Sequence, residues 1–464
     1  MSAPTDDGAL GRVEQAEVIS DGAPCPPAYS EEALALQFAE SYANELRYVA
    51  AWDQWFHWDG MRWKPDKTLL TRDLVRKICR VAANDCKESR FQKALASAKT
   101  VMSVIHLAKA DQRLAATADQ WDRDPWLLNT PSGVIDLRDG SMHKQRPQDH
   151  MTKITAVGPG GLGKVWRAFL ERVTDGDSEL QRFLQRIVGY ALTGDTSAHA
   201  IFFLFGTGAN GKSVFMETIS NMLADYKRTA PIETFTATMN DRHPTDLAGL
   251  QSARLVTATE TEEGRRWAES RIKQLTGGDK ISARFMHQDF FEFTPQFKLF
   301  VAGNHKPGLR SVDEAMRRRF HLIPFTVTIP DAERDLQLKE KLKRELPGIL
   351  AWAIEGCLEY QKVGLSPPEC VTRATGAYLE AEDVTAAWLE ECCTVEPNGW
   401  ANSTELFASW KNWAEQAGEP VGTQKALTQK LEARGFIPHR KNDGRGFKGI
   451  KLKYRADSNN RPNR

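Results

Sequence analysis

Apolar positions along this chain change period several times, and each change predicts a different element. From Glu31 onward, Ala33, Leu34, Phe38, Tyr42 and Leu46 recur at helical intervals. Between Trp52 and Trp63 aromatic residues alternate with polar ones around Asp59-Gly60, which predicts a hairpin turning there. Helical spacing then runs to about Arg113, and Gly133 to Gly140 reads as a second hairpin-like stretch. After a glycine-rich joint at Gly158 to Gly163, a helical run spans Trp166 to Leu192. The texture then shifts. Ile201 to Phe205 is a short, continuous apolar run of the kind a strand buried on both faces requires, and Leu255 to Ala258 and Leu299 to Ala302 are weaker candidates. Strands alternating with helices predict an α/β core with a largely parallel sheet. Beyond Pro330 helical spacing returns with Leu336, Leu338, Leu342, Leu346 and Leu350, and Pro367-Pro368 marks a linker. Val384 to Cys393 and Ser403 to Ala417 read as helices, the second with Leu406, Phe407, Trp410 and Trp413 as its apolar stripe, more a core face than a base-stacking platform.

These shifts divide the 464 residues into a leader (1–30), an α+β module (31–157), a hinge and helical collar (158–195), the α/β core (196–330), a helical extension and linker (331–380), a carboxyl-terminal module (381–455) and a tail (456–464). The leader holds five acids, one Arg and Pro24-Cys25-Pro26-Pro27, with too little apolar periodicity to offset the entropy of ordering, so disorder is expected there.

Composition narrows the function classes. Hydrophobic residues make up 41% and charged residues 27%, as in ordinary globular proteins. The 62 Lys plus Arg against 61 Asp plus Glu exclude a uniformly basic polyanion binder, though a local basic surface can sit inside a neutral total. Seven cysteines without a C-x-x-C pair argue against a disulfide scaffold or a cysteine zinc site. Asp6, Asp7, Glu14 and Glu17 stand where a secretory signal needs basic residues, and no long apolar run follows, so a cytoplasmic location is expected.

The chemistry concentrates in the core. Gly206-Thr207-Gly208-Ala209-Asn210-Gly211-Lys212-Ser213 is a complete G-x-x-x-x-G-K-[ST] motif between the apolar strand and a helix that begins at Val214. Its glycines let backbone N–H groups curl around phosphate oxygens, Lys212 supplies a cation for the β- and γ-phosphates of ATP, and Ser213 can ligate Mg2+. Gly158 to Lys164 satisfies the same glycine spacing, but Val165 lacks the hydroxyl and Pro159 removes an amide, so it reads as a hinge. Glu260 and Glu262, two apart at the end of the Leu255 strand, can share a face and serve the metal and the attacking water. Asn304, at the end of the Leu299 strand, can polarise that water. Asn304-His305-Lys306-Pro307 lacks the Asp of a guanine reader, so GTP specificity is unsupported. Arg317, Arg318 and Arg319 precede Phe320, where an Arg offered across a subunit interface could stabilise transition-state charge, with Arg318 and Arg319 the leading candidates.

The order and compactness of Lys212, the acids, Asn304 and the arginines resembles the superfamily 3 helicases. Asn210 before Gly211-Lys212-Ser213, Ile272 to Asp279, and Ala315-Met316-Arg317-Arg318-Arg319 with Ile323-Pro324-Phe325 look like the phage and plasmid primase-helicase branch. Trp58-Asp59-Gly60, Asn129 to Gly133 and Met151-Thr152-Lys153 look like the amino-terminal domain which that branch shares with poxvirus primase-helicases. The resemblance covers about residues 35 to 380 and implies an AAA+ ATPase core, usually a hexameric ring translocating on single-stranded DNA, encoded by a phage, plasmid or integrated element. It implies nucleotide contacts along Gly206 to Val214, Mg2+ at Ser213 and Glu260, a catalytic acid at Glu260 or Glu262, and a sensor at Asn304. Thr261 separates acids that compact relatives place side by side, which leaves both open. The family's pore hairpin maps to Arg284-Phe285-Met286-His287-Gln288, where Arg284 and His287 can meet phosphates and Phe285 can pack on sugar or base. Neither an acidic polymerase site nor a zinc module precedes the core, and Asp122-Arg123-Asp124 is too isolated to supply one, so no primase activity is expected of this chain.

Residues 425 to 455 hold ten Lys or Arg against two acids, on a third helix with Lys425, Lys430 and Arg434 and on a hairpin turning at Asn442 to Arg445 that also carries Lys448. Three helices followed by a basic hairpin predict a winged helix suited to duplex backbone or origin DNA. The expected function is an ATP-dependent DNA helicase acting on single-stranded and forked DNA, with a primase or other replisome proteins as partners and no membrane. The alternatives are an ATP-switched initiator or loader without processive unwinding and, disfavoured by the basic terminus, a small-molecule kinase.

Overall fold

Five parallel strands form the central sheet: β1 (Ile201–Phe205), β2 (Lys227–Thr229), β3 (Leu255–Thr259), β4 (Lys298–Gly303) and β5 (Phe320–Pro324), in the spatial order β5-β1-β4-β3-β2. They belong to a computed structural model that describes residues 25–237, 245–259, 264–284, 289–309, 312–441 and 444–453. The continuous apolar runs of β1 and β4 follow from their central position. Ile201 and Phe203 face one core with Leu299 and Val301, while Phe202 and Leu204 face the other with Phe300 and Ala302.

The helical run from Trp166 to Leu192 is two helices, α1 (Lys164–Val173) and α2 (Ser178–Leu192). Asp175 and Gly176 take left-handed backbone between them, and Asp177 caps α2 through the amide of Leu180 at 3.0 Å. Across one face α2 packs on the 26-residue helix α4 (Leu338–Val363), which follows α3 (Lys212–Leu223) in chain order. That contact is close because glycines make it. A Cβ on Gly189 would lie 2.1 Å from the Cys357 amide nitrogen, and one on Gly356 would lie 2.2 Å from the Gln185 carbonyl. The Gly158–Gly163 joint packs on the same long helix, where Gly160 donates its amide to the Pro347 carbonyl at 2.9 Å.

The amino-terminal module is α+β. Its sheet runs in the order Trp63–Pro65, Gln54–Trp58, Leu46–Val49, Ala115–Ala116, with Trp58 opposite Trp63 across the Asp59-Gly60 turn. A second, three-stranded sheet pairs Leu127–Thr130, Gly133–Asp136 and Met142–His143, so Gly133–Asp136 is its middle strand. Two buried cations sit at the foot of the central sheet; the first ties the sheet to this module and to the collar, the second to the collar alone. Arg254, just before β3, donates to the carbonyls of Leu192 (2.6 Å) and Leu127 (2.7 Å) and lies 4.6 Å from the Tyr226 ring centre. Lys298, the first residue of β4, donates to Thr193 Oγ1 at 3.1 Å and sits 4.5 Å from the Tyr190 ring, and burial holds its pKa well below the usual lysine range.

At the carboxyl end, helices Val384–Cys392, Ser403–Ala417 and Gln424–Ala433 pack with a three-stranded antiparallel sheet ordered Cys393–Asn402, Gly444–Leu452, Ile437–Lys441. Trp388, Leu406, Trp410, Leu427 and Phe447 form its core, so the Leu406–Trp410 stripe is packing surface. Among the described residues no helix is long and apolar enough to cross a membrane.

Candidate active site

The carboxyl end of β1 delivers the chain into a loop that only small residues can form. A Cβ on Gly206 would lie 2.1 Å from Asn210 Nδ2 and 2.2 Å from the Phe325 carbonyl. Gly208 and Gly211 have φ of 116° and 83°, and Ala209 also adopts left-handed backbone at 50°. The loop is braced from within. Asn210 Nδ2 donates to the Phe325 carbonyl at 3.0 Å, just past β5, and its Oδ1 accepts from Lys212 Nζ at 3.1 Å. Lys212 Nζ also donates to the Gly206 carbonyl at 2.6 Å and to Asn304 Oδ1 at 3.1 Å. Burial lowers the Lys212 pKa.

Lys212 thus ties the loop to the end of β4 and brings Asn304 to it. The first turn of α3 adds to the local field, because Gly211 at its N-cap has no side chain to satisfy the leading amides, which favours an anion there. Thr207 and Ser213 are exposed and Val214 is half-buried on this rim. For Mg2+ the described donor is the Ser213 hydroxyl; among the described residues no three His, Cys, Asp or Glu side chains converge. Glu260 and Glu262 lie outside the described residues. The strand leading to them does not: β3 ends at Thr259, in register with Ala302 of β4.

Phe285, Met286, His287 and Gln288 also lie outside the described residues, between the antiparallel strands Ile281–Ala283 and Phe291–Phe293. Arg284 is described, with its guanidinium 4.8 Å from the Phe290 ring. The three arginines part company. Arg317 and Arg318 are exposed, whereas Arg319 is 6% exposed and donates to Thr276 Oγ1 (3.2 Å) and the Ala315 carbonyl (2.9 Å). Arg319 thus makes these two bonds inside its own chain, with two of its five N–H groups. Asp122 and Asp124 are likewise committed locally, to Thr152 and to Arg138.

One residue escaped the sequence reading. Asp383 is 5% exposed, caps the helix Val384–Cys392 through the Ala386 amide at 3.1 Å, and receives both Arg317 of the core (3.5 Å) and Arg434 of the carboxyl-terminal module. Its position before Val384-Thr385-Ala386 is a legible cap signal; its two partners are not. In that module Lys425, Arg445 and Lys448 are exposed, and Arg440 stands directly opposite Arg445 across the strand pair. Like charges in that register repel unless an anion lies between them. Lys430 differs, being half-buried 5.5 Å from the Trp410 ring.

Residues 35–187 match the family "D5 N terminal like", and residues 204–319 match a family of unknown function, DUF5906. Two viral proteins, each named "Putative helicase", are similar in sequence. L207/L206 of Acanthamoeba polyphaga mimivirus is 27% identical over 289 residues, 57% of this chain and 30% of that protein. Protein 022R of Frog virus 3 (isolate Goorha) is 28% identical over 343 residues, 67% of this chain and 32% of that protein. The chain spans about a third of the length of these curated relatives. Among solved structures, the A form apo structure of the NrS-1 C terminal region superposes with a TM-score of 0.50 at 10% identity, covering 87% of this chain and 86% of that one, a likeness of fold. A mixed α/β protein with helicase relatives is thereby defined. These likenesses support a superfamily 3 helicase of the primase-helicase type.

Proposed function

We propose that the chain is an ATP-dependent DNA helicase motor that works as a homo-hexameric ring on single-stranded and forked DNA. The observation that carries this reading is the Lys212 ammonium held between Gly206 of the loop and Asn304 at the end of β4. That arrangement supports a reading in which Lys212 meets the phosphate oxygens and the Asn304 amide meets the γ-phosphate and its attacking water. Loop amides and the α3 terminus would cradle the phosphates, Ser213 would hold Mg2+, and Glu260 or Glu262 would take the water's proton. Mg2+, when bound, neutralises phosphate charge. Arg318, exposed beside its buried neighbour, is the arginine for a neighbouring subunit's nucleotide. Arg284, Phe285 and His287 would follow the translocating strand.

The carboxyl-terminal three helices and three-stranded sheet support a winged-helix DNA anchor, with Lys425, Arg445 and Lys448 on phosphates. Opposed Arg440 and Arg445 also favour a second reading, an initiator that uses ATP as an assembly switch on duplex DNA. ATPase assays with and without single-stranded DNA, paired with forked-duplex unwinding, separate the two. A motor is stimulated and unwinds, a switch assembles without unwinding, and Lys212→Ala abolishes both activities. Unwinding by that variant at the wild-type rate overturns the proposal.

A further inference from the structure

The amino-terminal module carries a basic furrow that the ATPase reading does not use. Residues 71–100 contain eight Lys or Arg and three Asp or Glu, a concentrated excess in a chain of net charge +1. On the helix Leu70–Asp85, Arg72, Arg76 and Arg80 recur at every fourth position, so they lie in one row about 6 Å apart along the axis. The neighbouring face of that helix, about 100° round from the row, carries Thr71, Val75, Cys79 and Ala82 and is buried, which holds the row at the surface beside the module's core. All three arginines are exposed and line one cleft, whose floor is Cys79, Ala96, Ala98 and Val101.

Little neutralises the row. Arg76 stands 3.4 Å from Asp73, an exposed pair of small worth, and Arg72 contacts Met102 Sδ. Among the described residues Arg80 has no carboxylate partner. Like charges at i and i+4 mildly destabilise a helix, a repulsion that a bound anion would relieve.

We propose that this cleft binds the backbone of single-stranded nucleic acid, at a second site remote in sequence from the pore segment. The inference rests on the helicase reading for the identity of the polymer. Evenly spaced guanidiniums suit a polymer whose charges are evenly spaced, and the apolar floor suits the sugar and base faces that an unpaired strand exposes. A single row beside an apolar floor fits one backbone, whereas a duplex presents two. An acidic peptide is the competing occupant, and this chain's own leader, with Asp6, Asp7, Glu14 and Glu17, supplies one.

The test is fluorescence anisotropy of a labelled oligothymidylate on the full chain over a series of salt concentrations. Combining Arg72→Ala, Arg76→Ala and Arg80→Ala is expected to weaken binding at least about tenfold and to flatten the slope of log affinity against log salt by about 2, since each phosphate contact on a single strand contributes about 0.7. ATPase measured without DNA stays at the wild-type level. The triple lysine variant, Arg72→Lys, Arg76→Lys and Arg80→Lys, keeps the charge and recovers most of the slope, which separates a binding role from a folding defect. An unchanged slope in the alanine variant overturns the cleft. So does a result in which a synthetic peptide of residues 1–24 binds wild type but not the alanine variant while oligothymidylate binding is unaltered. Lys212→Ala distinguishes the two proposals: loss of turnover with the slope intact leaves the cleft standing, and turnover in that variant sinks the motor assignment alone.

Discussion

Protonation of His321 should loosen the two strands that frame the phosphate loop. His321 lies on β5 directly opposite Phe202 of β1, with ring centres 5.5 Å apart and planes 23° from parallel, and with Phe183 at 6.0 Å. Burial among these rings pushes its pKa from 6.5 down to about 4. The native state therefore holds a neutral imidazole while the unfolded chain takes up a proton at the ordinary value, so the unfolded state binds more protons between the two pKa values. Stability is at its plateau above pH 6.5, falls as the pH drops, and levels off below about pH 4. A displacement of about 2.5 units at 1.36 kcal/mol each is worth at most about 3 kcal/mol, of which about 2.5 kcal/mol is lost by pH 4.5. His321→Phe keeps a ring in the stack and removes the proton. Native-state hydrogen exchange of peptides covering Ile201–Phe205 and Phe320–Pro324, corrected for intrinsic exchange at pH 7 and pH 4.5, reads the local opening energy. Wild type should lose about 2 kcal/mol more protection than His321→Phe over that interval. Equal losses in the two proteins would refute the reasoning, because carboxylates elsewhere titrate in both.

Three further perturbations probe the site and its attachment. Gly206→Ala drives a Cβ into Asn210 and Phe325, so it should cost about 1–3 kcal/mol in thermal stability and weaken ATP binding in calorimetry; an intact affinity would dismiss the bracing role of Asn210. Arg319→Ala should lower the melting temperature through its unpaired Thr276 and Ala315 partners, whereas Arg318→Ala should melt like wild type yet lose ATPase, regaining part of it when mixed with Lys212→Ala subunits. Asp383→Ala removes a helix cap worth about 1 kcal/mol and strands Arg317 and Arg434, whose side chains are 40% and 29% exposed; a total near 2 kcal/mol should appear as faster proteolysis around residues 381–384, and an unchanged cleavage rate would count against the link.

What could be read from the residues alone follows the range of the interaction involved. The tight Gly206–Lys212 turn was legible because its requirements are local: glycines where a Cβ collides or φ is positive, then a lysine at the start of a helix. Strands β1, β3 and β4 were legible because burial on both faces leaves a continuous apolar run. Strand β2 was not, since an edge strand of Lys227-Arg228-Thr229 shows no such run. The split between Arg318 and Arg319 was also hidden, because the turn between Glu314–Arg317 and β5 sets the direction of each side chain and no repeat continues through it.

The deepest gap concerns buried charge. Arg254 and Lys298 each stand just before an apolar strand, where local pattern reads a solvated flank. Their acceptors are carbonyls and a hydroxyl 62 to 127 residues away, contributed by the collar and the amino-terminal module. Removing Arg254 takes a donor from the buried Leu192 carbonyl and from the half-buried Leu127 carbonyl, a penalty of about 1–3 kcal/mol for a group that water cannot reach, as at Leu192. The same contact explains why the module joins the core at the foot of the sheet. The Gly206–Ser213 loop leaves from the opposite, carboxyl end of β1, so a cation that looks like a flank fixes the module to the end of the sheet away from that loop.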